Sequence, residues 1–162
     1  MTKTNKILFS ALALMLSAVS GVFAYSPLLP ARSGNTATVL PNGNILITGG
    51  QLDDGTILNT AVIYISSKAA YESLPNMSQA RIEHTATLLP DGRVFIFGGR
   101  STTAASSALR TYTIFDPKTN SFSAGTSLGT SASYRAGHSA TLITNGDYKN
   151  MVMLCGGYYN ST

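Results

Sequence analysis

Arg81-Ile-Glu-His-Thr-Ala-Thr-Leu-Leu-Pro-Asp-Gly-Arg-Val-Phe-Ile-Phe-Gly-Gly99 decides the fold, because the chain says nearly the same thing twice more. Upstream it reads Arg32-Ser-Gly-Asn-Thr-Ala-Thr-Val-Leu-Pro-Asn-Gly-Asn-Ile-Leu-Ile-Thr-Gly-Gly50. Downstream it begins again as Arg135-Ala-Gly-His-Ser-Ala-Thr-Leu-Ile-Thr-Asn-Gly and reaches Gly156-Gly157 after a longer run. A period of about 50 residues marks a stacked array of β-units and gives three repeats, at 32–80, 81–134 and 135–162.

Each unit decodes into short strands. Thr85 to Leu89 is β-prone and mostly apolar, and Pro90-Asp-Gly92 is turn chemistry. Arg93 to Phe97 is a second strand, too continuously apolar to have a solvated face. After Gly98-Gly99 and a polar loop, Arg110 to Phe115 forms a third strand, closed by Asp116-Pro117, and Ser121-Phe122-Ser123 opens a fourth. Tyr64 and Tyr71 in the first unit keep the spacing of Phe115 and Phe122 in the second. No stretch beyond the first 24 residues carries sustained helical periodicity, so the chain is all-β. The double glycines Gly49-Gly50, Gly98-Gly99 and Gly156-Gly157 fit strand ends where another backbone or a ring comes too close for a Cβ. Arg32, Arg81 and Arg135, which open the units, are expected to make structural hydrogen bonds.

This combination resembles the kelch repeat: an apolar strand, Gly-Gly, a later aromatic, Asp116-Pro-Lys-Thr-Asn120 and a second aromatic. The resemblance implies four-stranded antiparallel blades of a β-propeller over about residues 27–157, similar to extracytoplasmic kelch proteins and to the propeller of galactose-oxidase-like proteins. A Trp is usual where Tyr71 and Phe122 stand, and this chain has none. By this count there are two complete blades and half of another, an open or partial propeller. A closed propeller has typically 4 to 8 blades. The expectations are therefore a truncated part of a larger propeller, or a ring completed by self-association.

Charge and leader narrow the setting. Residues 1–24 read as a signal peptide: Lys3 and Lys6, an apolar run from Ile7 to Val19, and small residues before a cut after Ala24. The expected location is secreted or periplasmic, with no membrane attachment after cleavage. Cleavage removes two of the four net positive charges, and the remaining Lys and Arg are scattered singly, which argues against nucleic acid. The single cysteine, Cys155, has no internal disulfide partner and is expected as a buried strand residue.

The search for chemistry is short. His84 and His138 share one repeat position, which points to a bond with a neighbouring blade's backbone rather than to a metal. Glu83 beside His84 is a weak ligand pair without a counterpart at His138. There is no Gly-x-Ser-x-Gly, no P-loop and no dinucleotide fingerprint, so no catalytic, cofactor-binding or metal residue is assigned. The loops after each Gly-Gly vary most and are the candidate binding surface, with Gln51, Asp53, Asp54, Arg100, Tyr158 and Tyr159 as candidate contacts. The expected function is a binding or scaffolding module for a protein or carbohydrate ligand. The alternative, implied by the resemblance, is the N-terminal part of an extracytoplasmic enzyme such as a copper oxidase or a sugar-ring isomerase.

Overall fold

The computed structural model describes residues 31–125, 127–128 and 134–158. The signal-peptide segment and Tyr159 lie outside them. Alternating β-branched and apolar residues punctuated by Asn-Gly and Asp-Gly produce antiparallel sheets, as the pattern requires. Strands β1 (Thr36–Val39), β2 (Ile45–Thr48), β3 (Ala61–Ile65) and β4 (Ala70–Ser73) form the first sheet in that order. Strands β5 (Thr85–Leu88), β6 (Val94–Phe97), β7 (Tyr112–Asp116) and β8 (Ser121–Gly125) repeat it. Strands β9 (Ala136–Leu142) and β10 (Val152–Tyr158) pair as a third, two-stranded sheet. Among the described residues the one departure from all-β is a single 3-10 turn, Ala105–Ser107.

The turns that join first and second strands are copies of each other. Leu40 N–H bonds Asn44 O and Gly43 N–H bonds Leu40 O; Leu89, Arg93 and Gly92 do the same one unit later. In each, an acidic or amide side chain steadies the turn: Asn42 Oδ1 accepts from Asn44 N–H and Asp91 Oδ1 from Arg93 N–H.

Sheets stack through their first strands, β1 on β5 and β5 on β9. The main core lies between the first two sheets, where Leu40, Leu46, Ile63, Met77, Val94, Ile96 and Phe115 are buried. At about 1.5–3 kcal/mol per fully buried large apolar side chain, this layer is the main force holding the sheets together. Of the paired aromatics, Phe115 and Phe122 belong to it, whereas Tyr64 and Tyr71 lie on the opposite face of the first sheet from Leu46 and Ile63. Tyr64 stands directly opposite Tyr71, with ring centroids 5.1 Å apart, and Phe115 opposite Phe122 at 5.0 Å. The seven-residue spacing is thus a cross-strand pair closed by a turn, and in the second sheet the tilted Phe115 and Phe122 rings do the filling expected of the absent Trp.

One expectation is corrected. Cys155 is exposed, not buried. Its counterpart Phe97 is covered edge-on by His138 of the following sheet, at 5.4 Å. Among the described residues no sheet follows β10, so nothing covers Cys155 in the same way.

Candidate functional site

Two ends of the stack differ in character. One carries the tight turns; the other gathers the strand starts, the Gly-Gly pairs and the loops that follow them. The second end is built around a junction that occurs twice. A Cβ on Gly49 would stand 2.3 Å from Arg81 O and 2.8 Å from the His84 ring; on Gly98 it would stand 2.5 Å from Arg135 O and 2.9 Å from the His138 ring. The first glycine of each pair is therefore required by the next sheet's Arg-x-x-His segment. The second glycine donates to that segment: Gly50 N–H to Arg81 O at 2.9 Å and Gly99 N–H to Arg135 O at 2.7 Å.

The opening arginines brace their own units. Arg32, Arg81 and Arg135 each donate from Nη1 to the carbonyl of the first glycine, Gly49, Gly98 and Gly156 respectively. Arg81 is fully buried and also holds Thr111 O, Thr111 Oγ1 and Gln79 Oε1. Burial lowers its pKa to about 10, so it remains a cation at neutral pH.

The histidines bond side-chain hydroxyls of the preceding sheet and not its backbone, which corrects the expected contact: the ring Nε2 atoms face threonines on the strands of the neighbouring sheet. His84 Nε2 lies 3.1 Å from Thr36 Oγ1 and 2.9 Å from Thr48 Oγ1, while His138 Nε2 lies 2.9 Å from Thr85 Oγ1. Burial, with Arg81 and His138 adding to it, pushes the His84 pKa down to about 3. Burial and then Arg135 push that of His138 down to about 4. Both rings are neutral wedges between sheets.

On the surface of this end the post-glycine positions carry Gln51, Arg100 and Tyr158, one per unit. Glu83 joins two of them. Its carboxylate accepts from Arg100 Nε at 3.1 Å and Nη2 at 2.9 Å, and from the Tyr158 hydroxyl at 2.5 Å. Arg100 first and Tyr158 second hold the Glu83 carboxyl below the usual range, against the opposing effect of burial. Burial, then Glu83, raises the Tyr158 phenol. Glu83 has φ 58°, a left-handed conformation that its counterparts Gly34 (63°) and Gly137 (64°) adopt without strain. Sequence reading singled out Arg100 and Tyr158 but treated Glu83 only as a neighbour of His84. The signal was there: Gly in two repeats, Glu in the third.

Other candidates separate from this cluster. Gln51 Nε2 closes its own loop on Gly55 O, and Asp54 Oδ1 caps Thr56 N–H in a local turn. Glu83 faces Arg100 and Tyr158 while His84 Nε2 faces two threonines, so the two do not form a ligand pair. Among the described residues no copper site is assembled. Both imidazole Nε2 atoms are engaged inside sheet junctions, and no group of three His, Cys, Asp or Glu among the described residues could hold a metal ion.

The architecture, with first strands stacked, Gly-Gly pairs at one end and four-stranded antiparallel sheets, is that of a partial β-propeller, and among the described residues no ring is closed. Residues 82–129 match the kelch motif family, the same segment that forms the second sheet. No curated protein matches the sequence. Among solved structures, the chain is similar to a novel fungal alcohol oxidase with catalytic diversity among the AA5 family, in complex with copper. The likeness has a TM-score of 0.66 at 20% identity and covers 80% of this chain. The chain spans 28% of the oxidase's length. At that identity the likeness concerns the fold.

Proposed function

We propose that this chain is an exported recognition module whose ligand-contacting surface is the Gly-Gly end of its blades. One observation carries the reading: the repeat departs from its own pattern at Glu83. A strained residue, costing about 1–3 kcal/mol, stands where the other units use glycine, and it ties together Arg100 and Tyr158 across a blade junction. The rest of the repeat is kept for stacking; this cluster lies at a surface where the loops differ from unit to unit. A planar guanidinium, a carboxylate and a phenol at one rim suit a ligand rich in hydrogen-bonding groups, on a protein or a carbohydrate.

Immobilised peptide and oligosaccharide arrays probed with the folded chain test this. Arg100→Ala and Tyr158→Ala are expected to lose the signals that the parent chain gives. Signals unchanged in both variants would place recognition elsewhere. The leader's composition supports export, and among the described residues no helix is long and apolar enough to cross a membrane. A second reading, the propeller portion of an extracytoplasmic oxidase or isomerase, draws on the structural likeness. It places the chemistry on residues other than His84 and His138.

A further inference from the structure

We infer that the turn end of the stack carries a small-molecule site of its own, a cleft between the second and third turns that takes an apolar carboxylate against Lys149. The cleft lies at the opposite end from the Gly-Gly surface proposed for recognition and uses none of its residues.

The first two turns set the pattern. They are copies of each other and they abut: a Cβ on Gly92 would meet Pro41 Cγ at 3.5 Å. Beside them Leu40 is 2% exposed. The third turn departs from this. Its outer bond runs from Ile143 N–H to Met151 O, where the second closes from Leu89 N–H to Arg93 O, so it is four residues longer. A Cβ on Gly146, the counterpart of Gly92, would have nothing within 4 Å among the described residues. Leu89, the counterpart of Leu40, is only partly buried. The longer turn thus stands off from the second, and a cleft of about 400 Å³ opens there. That volume falls in the range of sites that take small ligands.

The walls come from first strands and their turns. Leu88, Leu89 and Pro90 of the second unit line the cleft with Leu142 and Lys149 of the third, and Pro41 of the first turn reaches it as well. Strands join each four-stranded sheet in chain order, so a further strand pairing with β10 would add on the side away from β9 and leave these walls as they are.

The third turn is held by its own backbone. Asn150 N–H bonds Ile143 O, Lys149 N–H bonds Gly146 O and Met151 N–H bonds Tyr148 O. Lys149 is therefore kept at the cleft. Its ammonium forms no ion pair among the described residues, which include all seven acidic side chains. An apolar lining with one uncommitted cation suits a ligand with an apolar body and one negative charge. The body leaves water, and the charge meets the ammonium beside apolar surface, where attraction exceeds that in open water. Asp147 is exposed on the same turn and does not line the cleft. Its charge disfavours a second negative group, so a carboxylate fits better than a phosphate monoester, which carries nearly two charges.

Octanoate and its neutral amide, octanamide, titrated into the folded chain and followed by NMR chemical shifts, test the site. Octanoate is expected to shift the resonances of Leu89, Leu142 and Lys149 saturably and to bind about tenfold more tightly than octanamide. Lys149→Met should erase that difference by weakening octanoate alone. Thr144→Trp, which fills the cleft from an exposed lining position, should block both ligands. Tyr148→Ala, on the same turn but outside the cleft, should leave both unchanged. All three replace exposed side chains, so circular dichroism should report an unchanged fold. Absence of saturable shifts at the cleft overturns the inference, as does octanoate binding that Lys149→Met leaves intact. Binding that Tyr148→Ala weakens equally, or that begins only where octanoate self-associates, also overturns it, assigning the effect to the exposed tip of the turn.

Discussion

Glu83 is the residue at which the repeat stops explaining itself. Its left-handed φ and its ties to Arg100 and Tyr158 are separable by substitution. Glu83→Gly removes both the strain and the ties; Glu83→Ala removes the ties and keeps the strain. The Gly variant should therefore be more stable than the Ala variant by about 1 kcal/mol in urea denaturation. Equal stabilities would mean that the backbone there is not constrained by its neighbours. The ion pair is partly exposed, at 16% and 32% for its two side chains, so its own contribution to stability is small. Repeat comparison made Arg32, Arg81 and Arg135 legible as structural residues, because three identical residues in register invite one explanation. Glu83 was hidden by the same logic, since a lone departure in one of three copies looks like drift until the φ angles are seen.

At the scale of the element, the junction rather than the strand is the unit that matters. Strand positions, turns and the Tyr64–Tyr71 and Phe115–Phe122 pairs were readable from periodicity and spacing, since local chemistry dictates them. What covers each strand was not readable, because it depends on the neighbouring sheet; Cys155 was misplaced for that reason. His84 and His138 show the energetic consequence. Both are neutral when folded, with pKa lowered to about 3 and about 4, against about 6.5 in the unfolded chain. Below pH 6.5 the unfolded chain takes up protons that the folded junctions refuse. Stability present above that pH is therefore lost as pH falls toward 4, by about 1.4 kcal/mol per histidine per pH unit. Replacing both histidines with Gln should flatten the stability profile between pH 6.5 and 4.5, measured by denaturant midpoints. A slope unchanged by the double substitution would mean that other groups govern acid sensitivity.

For the whole molecule, the account holds that a stack of propeller blades is fastened at one end by Arg-x-x-His segments seated on Gly49 and Gly98. The fold class and the blade period were legible because the repeat is nearly literal. The function was less so, because most repeated residues are occupied in fastening and only the loops are free to vary. One matched pair of substitutions reaches the central claim directly. Gly98 and Gly156 have φ angles of 66° and 69°, so an alanine meets the same backbone strain at both. At Gly98 the new Cβ would also stand 2.5 Å from Arg135 O, whereas at Gly156 it would meet nothing within 4 Å among the described residues. Unfolding free energies should be compared at low protein concentration, where copies are apart. Gly98→Ala is expected to cost about 1–3 kcal/mol more than Gly156→Ala, the usual penalty for forcing an extra carbon into a packed site. Equal costs would contradict the account, since the glycine pairs would then serve the backbone of each blade and not the junction between blades.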